Sequence, residues 1–472
     1  MTTVVKTVEA VNESNLRARK KNINTPYTIE EVAKHNTEND LWIIINNKVY
    51  DVTKWIPYHP GGNLPILNLG GHDVTDAFRG FHPDWAFKKL SAFQVGILTG
   101  YEPNQVVKDY RALDEKLRRE GYYKTHYMFY AKLYLWLSFL FCLSMYLTIY
   151  TTELKWQMLG ALVLGMFWQQ LAFVGHDTGH ISISHNRDID GWIGSTVGNF
   201  FGGVSLAWWK RTHNVHHVVP NSVQHDPDIQ HLPIFAVTDK VIPDGVFSNY
   251  HKKQMTFDSF AKFMVSNQHI FYYPVMAVAR FNLYLQSILL LFSNVDVQCR
   301  KAEIVSVGLF WCWYIKVLGF LPSTSAMIAY VLISHVVAGL VHVQICLSHF
   351  PMETYDGVPY NSDDECYCIT QLKTTLNVDC PEWLDWFHGG LQFQVEHHLF
   401  PRLPRHNLRH ARKLVKELCK KHNLPYYEYG FVEANRLLLL TLKNAAEVAK
   451  KAKEVKFSLK NSIIGDLLYA RG

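Results

Sequence analysis

Three short stretches of this chain carry side chains at spacings that could ligate a metal ion. Gln394, His397 and His398, within Trp386–Pro401, sit at offsets of 0, +3 and +4, on one face of a helix. His213, His216 and His217 repeat those offsets, and His176 and His180 stand four residues apart in Gly175-His-Asp-Thr-Gly-His180. Neutral imidazole suits iron, copper, zinc and nickel, whereas carboxylates suit harder ions. Seven imidazoles exceed what one metal binds, so the pattern predicts a centre of two metals assembled from distant parts of the chain. No catalytic residue is expected beyond these ligands. Asp177, Asn214 and Glu396 lie inside the clusters as candidate acceptors for imidazole N–H groups. The chain holds 24 histidines, so position and spacing, rather than residue type, must select the ligands.

A further histidine has different surroundings. His59 stands in Tyr58-His-Pro-Gly-Gly62, where proline stiffens a turn and the glycines let a flat cofactor approach the backbone. The flanking text reads as a compact α+β domain. A helix starts at Thr28 with Glu31 as its capping partner, and strands Leu41–Ile45 and Lys48–Val52 meet through Asn46-Asn47. Residues 27–102 resemble the haem-binding domain of cytochrome b5, which is marked by HPGG and a second axial histidine downstream. His72 and His82 are both available. His82, in Ala77-Phe-Arg-Gly-Phe-His-Pro83, has the better spacing and matches the Phe-x-x-x-His-Pro arrangement of fused domains of this kind. The resemblance implies haem b held by His59 and His82, with its iron saturated and acting as an electron carrier. A haem donor in the same chain favours a redox metal over zinc at the clusters. Two irons could bind O2, use two electrons to cleave it, and yield an oxidant able to take hydrogen from an unactivated methylene.

The elements that must position these groups include membrane-length segments. Hydrophobic residues make up 48% of the chain, yet mean hydropathy is only −0.06, so apolar runs must alternate with polar ones. Leu133–Thr152 and Trp156–Gly175 are charge-free and each long enough to cross a hydrocarbon core of ~30 Å. Three residues join them, which makes a helical hairpin. A second block runs from Ile304 to Phe320, interrupted by Lys316, and from Ser323 to Leu347, with Pro322 at the break. Phe271–Phe292 carries Arg280 and Asn282 and is expected at the interface. Four crossings would put all three clusters and the haem domain on one face. Lys210, Arg211, Arg402, Arg405, Arg409 and Arg412 mark that face as cytosolic. The net charge of +6 fits a membrane surface, and no alternating basic and aromatic motif points to nucleic acid. Eight cysteines without CxxC spacing argue for reduced thiols, against iron–sulfur or structural zinc sites. Met1–Lys6 has no apolar run, so no cleaved signal peptide is expected.

The haem-type N-terminus, HDxGH at 176–180, HNxHH at 213–217 and a third box with Gln394 in place of its first histidine resemble the front-end fatty-acyl and sphingolipid desaturases over nearly the whole chain. The fold expected is an α+β haem domain fused to an all-α membrane domain with about four transmembrane helices. The expected division is a mobile N-terminus at 1–26, the haem domain at 27–102, a linker with an interfacial helix at 103–131, the di-iron domain at 132–430 and a basic cytosolic tail at 431–472. The resemblance implies an endoplasmic-reticulum enzyme using O2 and electrons from NADH, passed by NADH-cytochrome b5 reductase. It implies a fatty-acyl lipid substrate, acyl-CoA or acyl-phospholipid, reached from the bilayer. It carries the ligand set onto His176, His180, His213, His216, His217, Gln394, His397 and His398, and adds His349 in Leu347-Ser-His-Phe-Pro351. Trp208, Trp209 and Phe393 are expected as core residues beside an acyl tunnel. The boxes are shared by delta-6 acyl and delta-8 sphingolipid desaturases; the wider pattern, including Ala236-Val-Thr-Asp-Lys240, looks nearer the delta-6 enzymes. A lipid hydroxylase and a non-enzymatic membrane haem carrier are the rival classes. An extra oxygen in the product would mark the first, and an iron-to-haem ratio near unity the second.

Overall fold

The computed structural model describes residues 23–360 and 366–453. The expected mobile N-terminus, with its basic cluster at Arg17–Lys21, lies almost wholly outside the described residues, as does the end of the expected tail. In the first domain, strands β1 (Pro26–Tyr27), β2 (Asn36–Thr37), β3 (Asp40–Ile45), β4 (Lys48–Asp51) and β5 (Gln94–Leu98) make one mixed sheet in the order β1-β5-β4-β3-β2. Thr28 and Glu31 form the capping box at the start of helix α1 (Ile29–Val32). Asn46 and Asn47 both have positive φ, 51° and 59°, as a two-residue hairpin turn demands, and asparagine tolerates that region best among residues with a Cβ. Helix α2 (Thr75–Phe81) then leads directly to His82.

The linker holds helix α3 (Gln105–Arg119). The structure packs this helix, expected at the membrane interface, against the haem domain. Arg111 pairs with Asp76 at 2.7 Å and Asp73 at 3.3 Å, and Asp114 pairs with Arg79 at 3.2 Å. Leu113 and Leu117 share an apolar core with Leu64, Val74 and Ala77 of the haem domain. Burying such a leucine contributes roughly 1.5–3 kcal/mol, so the first domain is welded to the helical region rather than tethered.

The rest is helical: α4 (Tyr127–Ile149), α5 (Leu154–Gly179), α6 (Leu206–Val218), α7 (Gln268–Val278), α8 (Arg280–Phe292), α9 (Arg300–Leu318), α10 (Thr324–Ala338), α11 (Leu340–Leu347), α12 (Tyr367–Thr374), α13 (Gln394–Leu399), α14 (Leu408–His422) and α15 (Phe431–Lys451), among shorter turns. Among the described residues, three stretches are long and apolar enough to cross a membrane: α4, α5 and Thr324–Leu347, which comprises α10 and α11. A fourth is possible if α7 and α8, bent by 64° at a break, count as one. The number of crossings thus agrees with expectation, but the candidate for the fourth differs. Helix α9 carries Arg300, Lys301, Glu303 and Lys316, whereas α7–α8 buries its one guanidinium. Arg280 donates to Gly202 O (2.6 Å) and Tyr284 Oη (2.7 Å) and lies over the Trp168 ring. The expected tail also departs from expectation, because α15 buries Ala434, Leu438, Leu442 and Ala446 as a packed helix.

Candidate metal centre

Helices α5, α6, α11 and α13 end or pass at one buried region, and each brings histidines to it. His176, His180, His213, His217 and His397 form one group whose ligating atoms lie within 4.8 Å of one another; His216, His349 and His398 form a second. The offsets 0, +3 and +4 explain how one helix serves both groups: His213 and His217 turn to the first, His216 to the second. Gln394, one turn before His397 on α13, is buried and its Oε1 has no partner. The Nε2 atoms of His176, His180 and His398 are likewise buried and unpartnered.

The Nδ1 side of several rings is already engaged. His216 Nδ1 donates to Asp226 at 2.9 Å, His398 Nδ1 to Gln371 Oε1 at 2.8 Å and His349 Nδ1 to Thr374 O at 3.3 Å. With Nδ1 protonated, the neutral ring presents its Nε2 lone pair inward. Inward they do meet. His217 Nε2 lies 3.0 Å from both His213 Nε2 and His397 Nε2, and His216 Nε2 lies 3.4 Å from His349 Nε2. Facing lone pairs repel unless a cation sits between them. Two metal–nitrogen bonds of ~2.1 Å at a right angle span about 3 Å, so the residues present fit a metal in each group.

The electrostatics keep the rings ready to ligate. Burial, then neighbouring imidazoles, holds His217 and His397 well below the ordinary histidine range. His216 differs: burial lowers it, but the charges of Asp226 and Asp228 outweigh that and raise it to about 8. Residue order does not foretell these acceptors. Asp226 and Asp228 sit just past the second box in Gln224-His-Asp-Pro-Asp228, where the density of polar residues is the available signal; Gln371 and Thr374 give none. The acceptors expected inside the boxes serve other ends. Asp177 accepts from Tyr130 Oη (3.1 Å) and forms an ion pair with Arg405 (2.9 Å), Glu396 accepts from Asn377 and Tyr426, and Asn214 donates to Gly61 O. Trp209 stacks on His213 with centroids 4.3 Å apart. Gly179 makes room for it, since a Cβ there would lie 1.9 Å from the indole. His185, His225 and His231 bond Thr125, Asn68 and Asp228 O respectively, outside both groups.

In the first domain, His59 and His82 face one another with ring centroids 5.9 Å apart. His59 Nδ1 donates to Gly62 O (2.6 Å) and His82 Nδ1 to Phe78 O (3.1 Å), which leaves both Nε2 atoms for a metal between them. Two bonds of ~2 Å fit that gap. Gly61 must lack a side chain, because a Cβ would lie 2.9 Å from the His59 ring. Burial holds His82 neutral, down to about 3, which suits a ligand. His72 is instead turned to the backbone of Tyr360.

A family model described as fatty acid desaturase matches residues 154–430, and one described as cytochrome b5-like haem/steroid binding domain matches 28–99. A delta(8)-fatty-acid desaturase of Helianthus annuus is 43% identical over 90% of this chain and 92% of its own. An acyl-lipid (9-3)-desaturase of Borago officinalis is 38% identical over 94% of this chain and 98% of its own. A delta 8-(E)-sphingolipid desaturase of Kluyveromyces lactis is 44% identical over 75% of this chain and 62% of its own.

Proposed function

This chain belongs to the fatty acid desaturase family and carries a cytochrome b5-like domain in the same polypeptide, and from that premise we propose that it is a front-end desaturase of lipid chains, fed with electrons by its own haem domain. The observation that carries this is the pairing of two inward-facing histidine groups with a bis-histidine haem slot in one docked unit. Haem b at His59 and His82 would exchange single electrons and hold no open position for O2. Irons at the two groups would supply O2 activation strong enough to remove hydrogen from an unactivated methylene. The chain's own residues do the rest. Asp226, Gln371 and the Thr374 carbonyl fix the tautomers that turn Nε2 inward. Trp209 covers one face of the His213 ring and holds its orientation. The proposed ligands are His176, His180, His213, His217 and His397 for one metal and His216, His349 and His398 for the other, with Gln394 completing the set. O2 is the proposed cosubstrate, with NADH-cytochrome b5 reductase the source of electrons. The haem domain and metal centre are placed on the cytosolic face of the endoplasmic reticulum. The domain division offered is a haem domain at 27–102 and a membrane di-iron domain at 132–430.

For the bond position we favour carbon 8 of a sphingolipid long-chain base. The Helianthus delta(8)-fatty-acid and Kluyveromyces delta 8-(E)-sphingolipid enzymes, 43% and 44% identical against 38% for the acyl-lipid (9-3) enzyme, support position 8, and the choice of a sphingolipid base follows the Kluyveromyces name alone. Delta-6 acyl desaturation is the second reading. It rests on the Ala236–Lys240 pattern and on the near full-length match to the acyl-lipid relative. Expression in a yeast lacking both products, fed linoleate, separates them. Long-chain bases with a new bond at carbon 8 and no gamma-linolenate support the first; gamma-linolenate alone overturns it for the second. A product with an added oxygen overturns desaturation itself.

A further inference from the structure

Helix α6 is a shared wall. One side presents His213, His216 and His217 to the metal centre. The same helix also meets the haem domain at both jaws of the slot, through Asn214 and through His217 itself. On the His59 side, Asn214 Nδ2 donates to Gly61 O at 3.3 Å, inside the His-Pro-Gly-Gly loop. On the His82 side, Phe81 stands edge-to-face against His217, centroids 5.9 Å apart and planes at 80°. Phe81 is the residue immediately before His82 in sequence.

His217 has a second peculiarity. Its Nε2 lies among the first metal group, but its Nδ1 is buried without a hydrogen-bond partner, unlike that of His216, His349 or His398. A metal-ligating imidazole ordinarily donates its second N–H to an oxygen. Several rings stand edge-to-face against this one, and among them Phe81 is the one that comes from the first domain. The contact is held from several sides. A Cβ on Gly80 would lie 3.5 Å from Pro401, Tyr110 Oη donates to Leu399 O at 2.7 Å, and Arg187 reaches Pro60 O at 3.4 Å.

We infer that Phe81 couples the two centres of this protein: its backbone is bonded to His82 and its ring meets His217, and the residue so forms the electron route from the haem domain into the histidine cluster. Along it one electron moves and no atom does. The reductant would be a ferrous haem held by His59 and His82 and the oxidant a ferric metal held by the cluster, one electron lost by the first and gained by the second. Docked in this way, the first domain works without leaving the second. The route rests on the desaturase reading of the chain.

The test uses the full-length protein loaded with haem and iron. It is reduced by dithionite without air, then mixed with O2 and vesicles of dilinoleoyl phosphatidylcholine containing ceramide. Haem oxidation is followed optically, alongside the haem spectrum, haem midpoint potential and iron content. Phe81→Leu is expected to slow haem oxidation about tenfold with the spectrum, potential and iron unchanged, and Phe81→Trp to recover most of the rate. An unchanged rate in Phe81→Leu, while the wild type shows iron-dependent haem oxidation, overturns the route alone. Loss of haem or iron in both variants also overturns it, since Phe81 would then be a packing residue. A wild type whose haem oxidises equally fast with and without iron overturns the desaturase reading and the route together.

Discussion

His216 and His349 point their Nε2 atoms at one another across 3.4 Å, although 133 residues separate them in sequence. His398 completes this trio, and no residue of it belongs to the group of five beside it. The centre is therefore divided unequally, three imidazoles against five. His349→Ala is expected to lower iron from about two per chain to about one and to abolish product, with the haem spectrum intact. Metal analysis and an optical spectrum on the same sample check it, and two irons retained would remove His349 from the ligand set.

The haem pair gives a second prediction. His82→Ala should abolish the six-coordinate, low-spin spectrum, while His72→Ala should leave it unchanged, because the His72 ring is turned to the Tyr360 backbone. The reverse outcome would reassign the axial ligand.

Gly179, inside Gly175-His-Asp-Thr-Gly-His180, should be intolerant of even a methyl. Its Cβ would meet Trp209 Cζ3 at 1.9 Å, and Trp209 stacks on His213. Gly179→Ala must move the indole and with it a proposed ligand. The expected result is reduced iron content and product loss of about 100-fold, by displacement of reacting groups. Combining it with Trp209→Phe should recover part of the iron.

Asp177 and Arg405 make a buried ion pair at 2.9 Å, with Tyr130 on the same carboxylate. Asp177→Ala leaves a buried guanidinium without its anion and should cost about 3–5 kcal/mol in thermal or denaturant unfolding. Removing Arg405 as well should cost clearly less than the two single changes added together. Simple additivity would mean the pair is not coupled.

Iron-free protein should be acid-sensitive near neutrality. Burial holds His213, His217, His349, His397 and His398 below the ordinary histidine value of 6.5, so the unfolded chain takes up protons that these folded rings refuse. Their stabilisation is complete above 6.5 and drains away as pH falls below it. His216, raised to about 8, works in the opposite sense: its contribution is full below 6.5 and is lost as pH rises through about 8. Five rings outweigh one, so the melting temperature of the iron-free protein should fall by several degrees from about pH 7 to about pH 5.5. A rise over that interval would contradict the neutral assignment of the cluster.

Much of the proposed site is legible in residue order because its information is periodic. Offsets of 0, +3 and +4 put Gln394, His397 and His398 on one helix face whatever surrounds them, and the same holds for His213, His216 and His217. HPGG fixes a turn through proline and glycine alone, and charge-free runs such as Trp156–Gly175 announce spans by composition. Hydropathy along the chain does not foretell that Arg280 is enclosed by Trp168, Tyr284 and the Gly202 carbonyl, because Trp168 and Gly202 come from distant segments.

Residue order cannot carry which side chain faces which across long separations. The sequence by itself determined that imidazoles gather on three helices, that a haem-type loop precedes them and that membrane-length segments lie between. Only the tertiary structure decided that His216 leaves its own box-mates to join His349, that Asp226 rather than Asp177 orients an imidazole, and that Phe81 of one domain meets His217 of the other. The reason is physical: helical periodicity is a local property of the backbone, whereas each of those pairings is set by how several helices pack into one dense interior, where a side chain's neighbours come from the whole chain at once.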